Sequence, residues 1–246
     1  ISATDPICSA IGNDVLKEGG GAVDAVIATA LCTGAINSYA SGIGGGAFLI
    51  VRPKTGAQDS VFFDCRETAP AAASPEMFLR KGANSEIGGL SVAIPGELWC
   101  FKEAHERFGR LPWARLFEGA IRITRQGFAM PKGMSNRLRQ NTDAILRDAN
   151  FSEVYAPNGA VLKEGETCHR TALAQTLEAI AKNGIEAFYK GPIAESHIRT
   201  IRDSGGIMTM EDLANFRPTV TKPLIGTYRG RKVIVADAPS AGPIML

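Results

Sequence analysis

The chain has 246 residues, of which 45% are hydrophobic and 21% are charged, a composition typical of folded globular proteins and not of disordered ones. Its 27 basic and 25 acidic residues are interspersed and give a formal net charge of +2. Nucleic-acid grooves and membrane-surface patches need a clustered excess of one sign, so this pattern argues against both. The longest nearly apolar run, 25–36, is shorter than the about 20 residues of a membrane-spanning helix.

Two helices and a hairpin are predicted in the first part of the chain. Asp5 followed by Pro6 is typical of a helix N-cap and first turn, and the glycines from Gly19 onward end this helix. The apolar run that follows predicts a second helix, buried on all sides, over 22–36. A glycine-rich loop then leads into a β-hairpin. Its strands are predicted at 47–52 and 60–66.

The remaining elements alternate less regularly. Helices are predicted at 97–108, 112–126, 134–149, 170–183, 192–203 and from Glu211, strands at 219–228 and 232–236, and a final helical start at Pro239. This order indicates an α+β fold in which helices cover a sheet that is not purely parallel. No linker divides the chain, so residues 1–246 are predicted to form a single domain.

The residues at the two ends of the chain indicate what is expected before and after them. Residues 1–5 lack the basic start and apolar core of a signal peptide, so any targeting or anchoring segment is expected upstream. Residues 240–246 are typical of a helix cap followed by the first apolar turn. An apolar helix start has to continue to find its packing partners, so the protein is expected to continue beyond residue 246.

Several segments resemble catalytic or binding motifs but lack a feature that the motif requires. Residues 42–46 fit a dinucleotide fingerprint, but a helix precedes them and a strand follows, the reverse of what pyrophosphate binding needs. Residues 89–93 lack the second glycine of a serine-hydrolase elbow. Cys168 and His169 are adjacent, but neighbouring residues seldom face each other as a catalytic pair. The five cysteines show no CxxC spacing and the three histidines are far apart, so no metal and no cofactor is predicted.

Charged residues cluster where the second hairpin strand ends. Alternation along the strand places Asp64 and Arg66 on one face, and Glu67 follows directly. An arginine here can bind a ligand carboxylate through two parallel hydrogen bonds. The simpler interpretation is a salt bridge from Arg66 to Asp64 or Glu67, and the residues alone favour it.

Two further features depend on the cellular compartment. Cys8 and Cys32 fall on the two consecutive helices and are able to form a disulfide if the helices are antiparallel, although two buried thiols are equally compatible with the sequence. Asn150 begins an Asn-Phe-Ser glycosylation sequon, which permits secretion without requiring it.

A set of short motifs, in order along nearly the whole chain, carries a resemblance. They lie at 20–25 (GGAVDA), 42–46 (GIGGG), 66–70 (RETAP), 89–97 (GLSVAIPGE), 109–117 (GRLPWARLF), 126–128 (QGF), 187–191 (AFYKG), 205–209 (GGIMT) and 211–213 (EDL). The chain resembles the large-subunit portion of γ-glutamyltranspeptidases (glutathione hydrolases), the eukaryotic branch more than the bacterial one.

This resemblance implies an N-terminal-nucleophile (Ntn) hydrolase with an αββα sandwich, of which this chain is the incomplete, N-terminal part of the large subunit. Such enzymes cleave their own precursor, and the nucleophile is the first residue, a threonine, of the small subunit. No catalytic residue is therefore expected in this chain, which alone is predicted to be inactive. Arg66 would bind the α-carboxylate of the γ-glutamyl group, with Asp64 and Glu67 as weaker supporting candidates. Cys8 and Cys32 would form the disulfide of the eukaryotic enzymes, which implies an oxidising compartment.

The implied activity is cleavage of the γ-glutamyl amide of glutathione and related γ-glutamyl compounds, with transfer to water or to an amino-acid or dipeptide acceptor. The implied partner is the small subunit from the same precursor, with no nucleic acid. The expected location is extracellular or in the secretory-pathway or vacuolar lumen, freely or anchored by an N-terminal segment. Two alternatives are an acylase acting on glutaryl β-lactam side chains and an inactive homologue that serves as an interaction module.

Overall fold

The computed structural model of the chain describes residues 1–79 and 82–246. The helices are α1 (Pro6–Lys17), α2 (Ala22–Ile36), α3 (Glu97–Phe108), α4 (Trp113–Gln126), α5 (Lys132–Gln140), α6 (Thr142–Arg147), α7 (Ala149–Tyr155), α8 (Thr171–Asn183), α9 (Glu186–Tyr189), α10 (Gly191–Asp203), α11 (Met210–Asn215) and α12 (Gly242–Met245). The strands are β1 (Ala47–Val51), β2 (Val61–Cys65), β3 (Phe128–Ala129), β4 (Thr167–Cys168), β5 (Thr219–Thr221), β6 (Leu224–Tyr228) and β7 (Arg231–Val235). The described part of the chain holds no helix with the length and apolarity that a bilayer span requires.

The chain forms two compact units, and each is made of two chain segments. The first unit contains Ile1–Gly42 and Phe108–Gly184, and the second contains Ile43–Arg107 and Ile185–Leu246. The first is mainly helical, and the second carries the two larger sheets. The expected single domain over 1–246 stays a prediction.

The first unit is built on the helix pair α1 and α2, with α2 packed in turn on α4 and α4 on α8. The Asp5 carboxylate accepts a hydrogen bond from the Ile7 N–H at 3.0 Å, which is the N-cap that the sequence predicts. Gly12 allows the two helices to approach closely, because a Cβ atom there would clash with the Thr29 hydroxyl. Helix α2 is buried along most of its length, as its apolar sequence predicts.

Two motifs separated in sequence meet at the start of α2. The buried Asp24 carboxylate accepts hydrogen bonds from the Gly21 N–H at 2.7 Å and the Arg110 N–H at 3.0 Å. A longer bond of 3.4 Å comes from the Leu111 N–H. One carboxylate thus caps the N-terminus of α2 and holds the loop before α4. The motif segments 20–25 and 109–117 are therefore in direct contact through Asp24.

A disulfide joins α1 to α2. Cys8 and Cys32 are bonded, with their Cα atoms 5.3 Å apart and a sequence separation of 24 residues. Loop-closure entropy assigns about 3 kcal/mol of stabilisation to a crosslink of this span. We therefore expect the double variant Cys8→Ala/Cys32→Ala to lower the free energy of unfolding by about that amount. Thermal unfolding of the full-length protein with and without reductant measures it, and the variant should no longer respond to reductant.

The second unit contains the predicted hairpin. β1 and β2 pair antiparallel from Ala47 opposite Cys65 to Val51 opposite Val61, and β5 adds to the free side of β2. β2 is therefore the central strand of a three-stranded sheet. Phe62 and Phe63 are both buried, so neither face of β2 is open to solvent at its middle. A second antiparallel sheet pairs β6 with β7.

Three sequence predictions are wrong in detail. The single helix predicted at 134–149 is three short helices, because the Asn141 amide donates to the Arg137 carbonyl and the extended Asp148 starts α7 by accepting from the N–H groups of Asn150 and Phe151. The strand predicted at 219–228 is divided into β5 and β6 at Pro223, which has no N–H to donate. The final helix begins at Gly242, later than the predicted Pro239.

Candidate functional site

Arg66 follows the last residue of the central strand β2. Its side chain is exposed, whereas Cys65 before it is fully buried. Its guanidinium forms no ion pair or hydrogen bond with any side chain in the ranges 1–79 and 82–246. The salt bridge to Asp64 or Glu67 that the residues alone favour is thus not present, and the positive charge is available to a ligand.

Asp64 shapes the backbone that carries Arg66. Its carboxylate accepts a hydrogen bond from the Arg66 N–H at 3.0 Å, two residues on, in the manner of an Asx turn. Because β2 is hydrogen-bonded to strands on both sides, the chain leaves the sheet at a fixed point. Asp64 therefore acts on the direction of the chain at Arg66 and not on the guanidinium.

Glu67 packs on the glycine-rich loop. A Cβ atom at Gly46 would lie 2.8 Å from Glu67 Oε2 and 2.6 Å from the Cys65 carbonyl oxygen, so only glycine fits there. The neighbouring Gly45 carbonyl accepts hydrogen bonds from the Gly96 N–H at 2.9 Å and the Glu97 N–H at 3.0 Å. Gly45 and Gly46 therefore serve close backbone packing behind the strand end, whereas a Cβ atom at Gly44 would meet nothing within 4 Å.

A cavity of about 570 Å³ lies in the second unit. The first of its lining residues along the chain, Thr68, follows Arg66 by two positions. Arg66 itself is not among its lining residues. The cavity is lined by Thr68, Ala69, Ala71, Ala72, Ile94, Thr209, Glu211, Asp212, Asn215, Phe216 and Arg217. The polar groups among them come mainly from α11 and the residues flanking it, to which the sequence assigns no role.

Asp212 holds one wall of this cavity in place. Its carboxylate accepts hydrogen bonds from the Ala71 N–H at 2.9 Å and from the N–H and hydroxyl of Thr209, both at 2.8 Å. Burial raises the pKa of Asp212, but the hydrogen bonds from Ala71 and Thr209 outweigh it, so the pKa lies below its ordinary value. The local signal is the Thr209-x-x-Asp212 capping box, whereas the bond to Ala71 spans 141 residues and has no sequence signature.

The family model described as gamma-glutamyltranspeptidase matches residues 8–246. The chain belongs to this family. Glutathione hydrolase proenzyme 1 of Schizosaccharomyces pombe is 44% identical over 247 residues, covering 100% of this chain and 39% of the relative. Glutathione hydrolase 3 of Arabidopsis thaliana is 41% identical over 244 residues, covering 99% of this chain and 38% of the relative. The chain thus spans about two fifths of the length of these curated relatives, and both are eukaryotic, as predicted.

The fold of this γ-glutamyltranspeptidase family member agrees with a solved one. The crystal structure of the Helicobacter pylori gamma-glutamyltranspeptidase superimposes with a TM-score of 0.92 at 32% identity, covering 98% of this chain and 70% of that chain. The predicted α+β fold class of the Ntn hydrolases is therefore confirmed. The structure departs from the predicted elements at helix breaks, strand ends and the start of the last helix, and it adds α9, β3 and β4, which were not predicted.

The cysteines divide into one bonded pair and three thiols. The Cys8–Cys32 disulfide implied by the family resemblance is present, while Cys65, Cys100 and Cys168 are free and buried. The neighbouring Cys100 thiol and burial raise the pKa of Cys65, and burial raises the pKa of Cys168 to about 11. Since nucleophilic cysteines need a lowered pKa, neither thiol is suited to catalysis.

Asn150 and His169 are the other candidate residues from the sequence, and neither lines the cavity described above. Asn150 lies exposed in the first turn of α7, and its glycosylation stays a prediction. The His169 Nδ1 lies 3.2 Å from the Arg125 carbonyl oxygen, so this ring contacts the backbone. Among the residues that the structure describes, His, Cys, Asp and Glu form no group of three or more suited to a metal ion.

Proposed function

We propose that this chain is the N-terminal part of the large subunit of a γ-glutamyltransferase or glutathione hydrolase. The whole enzyme cleaves the γ-glutamyl amide of glutathione and of related γ-glutamyl compounds. It transfers the γ-glutamyl group to water or to an amino-acid or dipeptide acceptor. The observation that carries the proposal is the exposed Arg66 guanidinium without an ionic partner among the described residues, in the RETAP segment at the fixed end of β2, in a chain whose relatives are named glutathione hydrolases.

In this proposal the chain contributes binding and orientation, and the small subunit contributes the nucleophile. The threonine hydroxyl attacks the γ-carbonyl carbon, the carbon–nitrogen bond breaks, and the hydroxyl proton passes through the threonine α-amine to the leaving amine. Water or an acceptor amine then takes the γ-glutamyl group in a second attack. Arg66 holds the α-carboxylate by two parallel hydrogen bonds, which fixes the scissile amide relative to the threonine.

The Cys8–Cys32 disulfide supports an oxidising location for this enzyme. We propose the extracellular space or the secretory-pathway or vacuolar lumen, where such bonds persist. The small subunit from the same precursor is the proposed partner.

The test uses the full-length protein, expressed in a secretory host. It should release p-nitroaniline from γ-glutamyl-p-nitroanilide and liberate glutamate from glutathione, and replacing the small-subunit N-terminal threonine by alanine should abolish both. Preference for glutaryl-p-nitroanilide would instead establish the acylase alternative. A correctly folded protein without either activity would establish the inactive homologue. The similarity of the chain to glutathione hydrolases favours neither alternative.

A further inference from the structure

A second arginine, Arg217, lines the cavity beside α11 and is exposed, and its guanidinium contacts two carbonyls and one aromatic ring. Its Nη1 donates hydrogen bonds to the Ala214 carbonyl at 2.9 Å and to the Phe216 carbonyl at 2.6 Å. Its guanidinium carbon lies 4.4 Å from the centroid of the Trp99 ring, within the range of a cation–π contact. These contacts fix the plane of the guanidinium and leave its other N–H donors for a ligand.

Two carboxylates, Glu211 and Asp212, line the same cavity, but neither forms an ion pair with Arg217. No ion pair to Arg217 occurs in the part of the chain that the structure describes. The Asp212 carboxylate is occupied by Ala71 and Thr209, and the Glu211 carboxylate lies 3.5 Å from the Asn215 amide nitrogen. A guanidinium that lines a cavity of about 570 Å³ and is not paired with a carboxylate is suited to bind a small carboxylate ligand.

The cavity begins close to Arg66 along the chain. Thr68 lines it and follows Arg66 by two residues, a stretch of chain that spans at most about 7 Å. A tripeptide in extended form spans about 10 Å. A molecule the size of glutathione, bound at one end by Arg66, therefore has the length to extend its other end into this cavity.

We propose that Arg217 binds the C-terminal carboxylate of the peptide part of the substrate. This is the glycine carboxylate of glutathione, and the C-terminal carboxylate of a dipeptide acceptor when one enters after the first product leaves. The proposal rests on the proposed function and extends it, because it assigns the two carboxylates of glutathione to two arginines of one chain. The enzyme then selects acceptors by their free carboxylate.

The experiment measures acceptor KM in the full-length enzyme, with γ-glutamyl-p-nitroanilide as donor and either glycylglycine or glycylglycine amide as acceptor. In the wild type, KM for the amide should exceed KM for the acid by about ten- to hundredfold, the loss expected for a charged hydrogen bond. Arg217→Gln should raise KM for the acid toward that for the amide, so that their ratio approaches one. Arg217→Lys should keep part of the preference, since it retains the charge without the planar fork.

The matched control is Arg199→Gln, an exposed arginine on α10 that does not line the cavity, and it should keep the wild-type ratio. A wild-type enzyme with equal KM values for acid and amide would overturn the proposal even if no variant folds. An Arg217→Gln enzyme with an unchanged ratio would also overturn it. A wild-type protein without donor cleavage would overturn both this proposal and the proposed function, whereas active enzyme without acceptor selectivity would overturn this one alone.

Discussion

Arg66→Gln in the full-length enzyme is expected to raise KM for γ-glutamyl-p-nitroanilide by about ten- to hundredfold, because the substrate α-carboxylate loses a charged, two-bond partner. The Arg66 side chain is exposed and forms no ion pair among the described residues, so its replacement removes no internal interaction seen in the fold. Arg66→Lys should recover only part of the affinity, since an ammonium group cannot form the planar pair of bonds. Steady-state kinetics on purified enzyme measure the effect.

The hairpin supplies a matched control for Arg66. Arg52 follows β1 as Arg66 follows β2, it is also exposed, and it lies at the opposite end of the antiparallel pair. Arg52→Gln should keep the wild-type KM. An anilide of 4-aminobutyrate, which lacks the α-carboxylate, should be a poor substrate for wild type and no poorer for Arg66→Gln. Equal loss on both substrates would contradict carboxylate binding by Arg66.

Asp24→Ala is expected to cost about 3 kcal/mol of stability. The substitution removes a fully buried carboxylate and leaves the part-buried N–H groups of Gly21, Arg110 and Leu111 without their common acceptor. It also removes the negative charge from the N-terminus of α2. The midpoint of thermal unfolding of the full-length protein should fall by about 10 °C, and its secreted yield should fall with it.

Asp14→Ala is the control for this effect. Asp14 is half-exposed on α1 and pairs with Lys17 at 3.0 Å, so its removal should cost about 0.5 kcal/mol or less. Asp24→Asn keeps one acceptor oxygen and should fall between the two. An Asp24→Ala protein as stable as Asp14→Ala would show that the carboxylate does not hold the loop before α4.

The sequence determines the elements near Arg66 because their signals are local. An N-cap, an apolar run, a glycine stretch and alternating strands each act over a few residues, so α1, α2 and the hairpin were predictable, and with them the position of Arg66 at a strand end. The division of the segment 134–149 into separate helices was not predictable. It depends on the hydrogen bond from the Asn141 side-chain amide to the Arg137 carbonyl.

The cavity was beyond prediction for a different reason. Its wall depends on the bond from Ala71 to Asp212 across 141 residues and on Arg217 stacking over Trp99, and neither leaves a periodic pattern. The same holds for Asp24 and Arg110, which are separated by 86 residues. The family resemblance links these segments without saying which atoms touch, and only the folded chain supplies that.

Because β2 pairs with β1 on one side and with β5 on the other, the hairpin tolerates changes in length at some positions and not at others. Residues added to the connection between β1 and β2 extend into solvent and leave the pairing of Phe62 with Ile50 and Thr221 intact. One residue inserted within β2 shifts its register against both neighbours at once and reverses the side of every following residue. Length variation in the β1–β2 hairpin is therefore expected in the connection between the two strands, whereas the number of residues leading into Arg66 is fixed.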